Sequence, residues 1–195
     1  GYSEYIDFNG DGVIDSKDQF KLGYTQGYPL YNYGLALGVT FRRISIDALF
    51  QGVSDITRFA CDNFAWPLHR LSKQVFEYEL DAWSPNNRDS RYPAIHNEAY
   101  RQHNNIKDGA VNEVSVYNVS YVRLKNVNIS YSLPEKILKK AKISSVNIFL
   151  RGNNLFTWCP NYPIGDPEAS DGGNEITNGF YPMTRTITAG LQLGF

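Results

Sequence analysis

The sequence is poor in the features that mark several common classes of protein. It has 2 cysteines among 195 residues, which are too few for the disulfide framework of a small secreted domain. Its 19 basic and 20 acidic residues nearly cancel, and because the basic residues are scattered we expect no nucleic-acid partner. No apolar run approaches the roughly 20 residues of a membrane-spanning helix. A membrane β-barrel is not excluded, because its strands alternate polar and apolar residues.

Residues that carry catalysis are also scarce. The chain has no CxxC pair, no phosphate-binding glycine loop and no recognisable pairing of nucleophile and base. Its histidines are His69, His96 and His103, and with Glu98 they match no known catalytic metal set. We interpret them as surface residues. The sequence therefore predicts a protein that is not an enzyme.

What the chain does contain is aromatic residues, glycines and alternating patterns. Five segments alternate apolar and polar residues, as β-strands with one apolar face do. They are residues 31–41, 43–52, 119–131, 145–156 and 183–195. In the third segment the apolar phase changes between Leu124 and Val127, which predicts a β-bulge near Lys125 or Asn126.

The connections between these segments alternate in length. Only Arg42 and Arg43 separate the first two strands, which predicts a tight hairpin. The third and fourth strands are joined by a short segment that predicts one amphipathic helix, with Ile137 and Leu138 buried.

The remaining connections are long and rich in Pro, Asn, Asp and Gly. They cover residues 1–30, 53–118 and 157–182, with a helical pattern at residues 68–83. All three would lie at one end of the sheet, as the long extracellular loops of outer-membrane barrels do. A soluble β-sandwich has strands that alternate in the same way and is the alternative.

The stretch DFNGDGVIDSKD, residues 7–18, matches the spacing of an EF-hand calcium loop. The predicted Ca²⁺ ligands are Asp7, Asn9, Asp11, the Val13 carbonyl, Asp15 and Asp18. The last ligand is Asp where Glu is usual, as in dockerin-type loops. The flanks are too short for the paired helices of a calcium sensor, so we expect a structural clip. The alternative is an acidic loop held by its own hydrogen bonds.

Four stretches resemble the C-terminal part of SusC/RagA-like TonB-dependent outer-membrane transporters of Bacteroidota-type bacteria. They are DFNGDGVIDSKDQFKLG, DAWSPNNRDSRYP, SYVRLKNVNISYSLPEKILKKAKISSVNIFLRGNNLFTW and YPMTRTITAGLQLGF. The resemblance implies an all-β fold of antiparallel strands forming the C-terminal segment of a large transmembrane β-barrel. Residues 1–30 would be an extracellular loop, and residues 31–195 would supply the last strands, about five in number. Because five strands cannot close a barrel, we expect a longer subunit whose plug and earlier strands lie outside this chain.

The resemblance also implies a function. It implies outer-membrane import of a nutrient, an oligosaccharide or a peptide, with a SusD-like surface lipoprotein as partner and TonB acting through the plug. The apolar strand faces would contact outer-membrane lipid, the long loops would lie outside the cell and the short turns in the periplasm. Cys61 and Cys159 fall in two different long loops, where a disulfide and two free thiols are both possible.

The alternative from another class is a secreted, calcium-stabilised β-sheet module that binds glycans. Such a module must cover its apolar residues, among them Leu35, Leu37 and Leu191, with a second sheet. A barrel leaves the same residues to lipid.

Overall fold

A computed structural model describes residues 4–26, 28–60, 75–95, 113–138, 143–169, 175–176 and 183–195. Its strands are β1 (Thr25–Gln26), β2 (Tyr31–Phe41), β3 (Ile44–Ser54), β4 (Ile56–Ala60), β5 (Val116–Asn118), β6 (Tyr121–Ser132), β7 (Ser145–Trp158), β8 (Glu175–Ile176) and β9 (Thr186–Gly194). One short α-helix, α1, spans Glu135–Leu138. No helix in the described ranges is long and apolar enough to cross a membrane.

The five long strands form one antiparallel sheet in the order β2-β3-β6-β7-β9. Alternating side chains explain this pairing, because each strand offers one apolar and one polar side. The five strands predicted from the sequence are thus confirmed, with bounds that differ by a few residues. The sheet does not close on itself, so β2 and β9 are its edges.

The bulge predicted in β6 is also confirmed. Pairing of β6 with β3 and with β7 shifts register on either side of Lys125. On β7 the irregularity includes Asn154, whose backbone has a φ of 52°, in the left-handed region that Asn tolerates better than most residues. The shift returns Val127 and Ile129 to the same side of the sheet as Leu124.

The two faces of the sheet differ sharply in chemistry. The apolar face is formed by Tyr31, Tyr33, Leu35, Leu37, Val39, Phe41, Ile44, Ile46, Phe50, Val122, Leu124, Val127, Ile129, Tyr131, Ile148, Leu150, Phe156, Trp158, Ile187, Leu191 and Leu193. Many of these side chains are exposed, Ile187 at 69% and Leu35 at 55%. The polar face is formed by Asn32, Thr40, Ser45, Asp47, Gln51, Arg123, Lys125, Asn128, Asn147, Arg151, Thr188 and Gln192.

Short connections lie at one end of the sheet, called here the turn end. The hairpin between β2 and β3 turns at Arg42, which has a φ of 56°, and the Ser132 N–H donates to the Arg43 carbonyl at 2.9 Å. The predicted helix between β6 and β7 is present as α1. Leu138 is buried as expected, but Ile137 is 59% exposed. The expectation for Ile137 was wrong because this helix has a single turn, and one turn cannot bury two consecutive residues.

The opposite end, called here the loop end, carries a second, smaller sheet. In this sheet β4 pairs with β1 and β8 in parallel and with β5 in antiparallel orientation. Residues 53–118 and 157–182 were predicted as long loops, and this prediction was wrong at β4, β5 and β8. These strands have 2 to 5 residues, which is too short for alternation to show.

The hydrophobic core lies at the loop end. Its buried residues are Val53, Ile56, Ala60, Tyr117, Val119, Tyr121, Tyr162 and Ile164, with Tyr78 and Cys159 packed against them. The helical pattern at residues 68–83 ends here in a 3-10 helix, Glu77–Asp81. Within residues 75–83 the helical pattern is present as this 3-10 helix alone, and residues 68–74 lie outside the described ranges.

Candidate functional site

The acidic loop, residues 7–18, folds around the carboxylates predicted to bind calcium. Asp7 accepts hydrogen bonds from the N–H groups of Gly10 and Gly12, both at 2.7 Å. Asp18 accepts from Phe8 at 3.0 Å and from Asp15 at 2.7 Å. These bonds bring the first and last predicted ligand positions together across the loop.

Three further predicted ligands, Asn9, Asp11 and Asp15, take part in the same network. The Asn9 side chain accepts from the Asp11 N–H at 2.8 Å, and Asp11 accepts from the Val13 N–H at 2.9 Å. Asp15 caps the 3-10 helix Ser16–Asp18 by accepting from the Lys17 N–H at 2.7 Å. The loop thus has the internal hydrogen bonds of an Asx-turn structure.

The electrostatics of the loop follow from these bonds. Hydrogen bonds from the backbone N–H groups of Asp15, Asn9 and Phe8 lower the pKa of Asp18 below its ordinary value. The donor atoms are all oxygens, which suits a hard cation such as calcium. In the part of the chain that the structure describes, however, no three His, Cys, Asp or Glu side chains form a group that could hold a metal ion. The calcium ligand set therefore stays a prediction.

A cluster of charged side chains lies at the loop end on the polar face. Arg123 is buried, with 1% of its side chain exposed, and it pairs with Asp166 at 2.5 Å and Glu168 at 3.0 Å. Glu168 also pairs with Lys125 at 2.7 Å and accepts from the Tyr121 hydroxyl at 2.7 Å. We call Tyr121, Arg123, Lys125, Asp166 and Glu168 the clamp.

The clamp is electrostatically satisfied by its own members. Burial raises the pKa of Glu168, but the hydrogen bonds from Lys125 and Tyr121 and the nearby charges of Arg123 and Lys125 outweigh it, so the pKa lies below its ordinary value. Glu168 is therefore ionised near neutral pH. Two carboxylates face two cations, which is the arrangement in which buried charges are tolerated.

Beside the clamp, a buried arginine of β4 reaches the same segment. Arg58 donates to the Ala169 carbonyl at 3.1 Å, and Tyr162 is buried next to it with 6% exposure. Burial raises the pKa of the Tyr162 hydroxyl to about 12 and that of the Cys159 thiol to about 11. Both groups are therefore neutral near pH 7.

A single buried carboxyl, Glu79, lies in the 3-10 helix Glu77–Asp81. Only 3% of Glu79 is exposed, and its carboxylate accepts from the Phe76 N–H at 2.6 Å. Burial raises its pKa to about 7, although the Phe76 hydrogen bond acts in the opposite direction. Tyr78 and Tyr117 lie close to Glu79, and its charge contributes to their raised pKa values.

Sequence reasoning missed the clamp and Glu79. The clamp residues come from β6 and from a segment 43 to 45 positions further along the chain. One indication of the clamp was visible in the sequence: Arg123 and Lys125 occupy polar positions of a predicted strand. His69, His96, His103 and Cys61 lie outside the described residues, so the surface reading of the histidines and the Cys61–Cys159 pairing stay predictions.

Comparison with known proteins finds TonB-dependent receptors whose sequences are similar to this chain. The chain is 28% identical over 205 residues to the TonB-dependent receptor P26 of Formosa agariphila, covering 100% of this chain and 20% of the relative. It is also 28% identical over 203 residues to the TonB-dependent receptor P3 of the same organism, covering 98% of this chain and 19% of the relative. The chain thus spans about a fifth of the length of these relatives. No protein-family description matches it.

Solved structures show the same fold. The structure of the RagAB peptide transporter aligns with a TM-score of 0.70 at 24% identity, over 94% of this chain and 19% of the matched chain. The RagAB peptide importer in its open-open state aligns with a TM-score of 0.69 over 98% of this chain. The resemblance to SusC/RagA-like TonB-dependent transporters is therefore confirmed, and so is the all-β, antiparallel fold. The relatives are named as receptors, and the solved structures are those of a peptide transporter.

Proposed function

We propose that this chain forms part of the wall of a TonB-dependent transporter that imports a nutrient across the outer membrane. One observation carries the proposal: the five-stranded sheet has a continuous apolar face that is exposed and a polar face on the other side. This division is what a transmembrane barrel requires of each strand, because one side meets lipid and the other meets the lumen. The likeness to TonB-dependent receptors over the whole chain supports the same function.

The edges of the sheet support its place in a larger barrel. Both β2 and β9 offer unpaired backbone groups along their outer edges, and an exposed strand edge is a site for pairing with another strand. In the proposed transporter, further strands of the same subunit pair with these edges. The plug and the segment that TonB engages belong to the remainder of that subunit.

The proposal also covers the orientation of the sheet, the partner protein and the transported molecule. We assign the loop end to the outside of the cell and the turn end to the periplasm, because long loops and short turns divide in this way in outer-membrane barrels. A SusD-like lipoprotein then lies over the loop end. The cargo is an oligosaccharide or a peptide; RagAB, which has the same fold, is a peptide transporter.

The calcium clip is proposed for the acidic loop in this setting. The loop precedes β1, and the Tyr24 N–H donates to the Thr57 side chain of β4 at 2.7 Å. An ion bound to the acidic loop would therefore fix a segment that is attached to the loop-end core. Extracellular calcium-binding modules work at affinities of about 10⁻⁴ to 10⁻³ M, so a modest site would fill outside the cell.

The alternative, a secreted glycan-binding module, lacks support in the fold. Such a module must bury its apolar face to remain soluble. Leu37 is 52% exposed and Leu191 is 65% exposed, and within the described residues the second sheet packs at the loop end instead of across this face.

The proposal is tested by extracting native outer membranes with detergent and separating the extract on a native gel. The band that holds this chain is then identified by mass spectrometry. We expect a large, detergent-dependent complex that contains peptides of a plug domain and of a lipoprotein. A small, detergent-free species would contradict the proposal and favour the secreted module.

A further inference from the structure

The segment that follows β7, residues 159–169, is bound to the sheet from the polar side. Its two carboxylates, Asp166 and Glu168, reach Arg123 of β6. The side chain of Arg123 belongs to the polar face, because its neighbours Val122 and Leu124 belong to the apolar face. The segment therefore folds back over the polar face and does not extend away from the loop end.

Asp166 is the centre of this attachment. Besides pairing with Arg123, it accepts a hydrogen bond from the Glu168 N–H at 2.9 Å and one from the Met183 N–H at 3.2 Å. One carboxylate thus joins a strand, its own segment and the residues that lead into β9. Because the three contacts share the Asp166 carboxylate, loss of one contact should weaken the other two.

Independent contacts fix the same segment elsewhere. Arg58 of β4 donates to the Ala169 carbonyl at 3.1 Å. The side chains of Tyr162 and Ile164 are both 6% exposed and belong to the hydrophobic core. Residues 159–169 are thus held by charged contacts near one end and by apolar contacts in the middle.

We propose that Arg123 is the anchor that locks residues 159–169 onto the polar face, so that this segment is a fixed part of the passage wall and not a moving lid. The location in a passage rests on the proposed function. The locking itself does not, because it follows from contacts within the chain. Opening the segment would break both ion pairs of Arg123 together with the hydrogen bonds that Asp166 accepts, and the loss of these coupled contacts is unfavourable.

Cys159 provides a built-in reporter of this locking. It is half-buried at the start of the segment and packs against the core. Burial raises its pKa, whereas the charge of Arg123 lowers it. Removing Arg123 without releasing the segment would therefore slow the reaction of the thiol with a maleimide. Release of the segment would expose the thiol and accelerate the reaction, so the sign of the change separates release from loss of the Arg123 charge alone.

The experiment measures the rate at which N-ethylmaleimide labels Cys159 in the purified full-length protein, in detergent, after the protein has been reduced and the reductant removed. Labelling is followed by mass spectrometry of the peptide that contains Cys159. We expect slow labelling in the wild type and labelling at least about tenfold faster in Arg123→Met, because an unpaired buried carboxylate destabilises the locked state. Arg123→Lys, which keeps the charge but not the two-pronged geometry, should restore part of the protection.

Two further variants complete the test. Arg151→Met removes an exposed arginine of the same polar face, which contacts Asn128 at 3.1 Å, and it should leave the rate unchanged. Glu168→Gln removes a single charge of the clamp, and it replaces Arg123→Met in the test if that variant does not fold. The labelling rate of Glu168→Gln should lie between those of the wild type and Arg123→Met. Slower or unchanged labelling in both Arg123→Met and Glu168→Gln would overturn the proposal. Because the assay uses purified protein, this result is separate from a failure of the membrane fractionation described above.

Discussion

The ring of Tyr33 in β2 lies over Gly52, its direct partner in β3. A Cβ atom on Gly52 would collide with that ring and would lie 2.6 Å from the carbonyl oxygen of Tyr121 in β6. The Tyr33 hydroxyl in turn donates to the same carbonyl at 3.2 Å. One aromatic residue therefore ties three neighbouring strands together at the loop end, and glycine at position 52 is what allows its ring to lie flat.

Gly52→Ala should destabilise the folded protein by about 1–3 kcal/mol, because overpacking against a backbone carbonyl forces the strands apart. The measurement is the thermal midpoint of the full-length protein in detergent. Gly34→Ala is the matched control on β2, since its nearest neighbour would be 3.7 Å away, and it should change stability by no more than about 0.5 kcal/mol. Equal effects of the two variants would show that the Tyr33 ring moves aside without a loss of stability.

The strands of the main sheet could be predicted because one face of the sheet is apolar and the other is polar. Residues 31–41 alternate without a break, and the structure gives the same bounds for β2. The bulge near Lys125 could be predicted because it shifts the apolar phase, which is visible in the sequence. The four short strands could not, because a strand such as Ile56–Ala60 is buried at four of its five positions and so shows no alternation.

Glu79 predicts that residues 75–95 lose stability as the pH rises. The folded pKa of Glu79 is about 7, above its ordinary value, so the folded state binds more protons between these two values. The contribution of Glu79 to stability is therefore fully present below about pH 4.5 and is lost as the pH rises through 7. The measurement is hydrogen exchange of peptides from residues 75–95, corrected for the intrinsic pH dependence of exchange.

Glu79→Gln should remove this pH dependence, because the amide still accepts the Phe76 N–H but does not ionise. Glu77→Gln changes an exposed neighbour in the same 3-10 helix and should preserve it. If exchange in Glu79→Gln depends on pH as in the wild type, another group is responsible.

The acidic loop predicts a response to calcium. Adding millimolar calcium to metal-free full-length protein should slow hydrogen exchange across residues 4–24, because the ion would join carboxylates that are otherwise held mainly by backbone N–H groups. Asp7→Ala should abolish the response, and Lys17→Ala, which removes an exposed side chain of the same loop, should retain it. Exchange that is identical with and without calcium would favour the Asx-turn alternative.

The clamp marks the limit of what this sequence predicts. Pairing of Arg123 with Asp166 spans 43 residues, and no local pattern connects the two positions. The acidic loop shows the opposite case, since the bonds from Phe8 and Asp15 to Asp18 lie within 10 residues and follow the motif. Local hydrogen bonding could be read from spacing, whereas the long-range ion pairs required the path of the chain.

The most direct test of the account compares lysine substitutions on the two faces of β2. Leu37→Lys places a charge on the apolar face, where a lysine near the middle of a bilayer costs about 2–4 kcal/mol. Ala36→Lys places the same charge on the polar face, one residue away. The measurement is the amount of folded full-length protein in the outer membrane, detected by its heat-sensitive migration in a gel. We expect a strong loss for Leu37→Lys and little change for Ala36→Lys; equal amounts of the two variants would contradict a lipid-facing sheet.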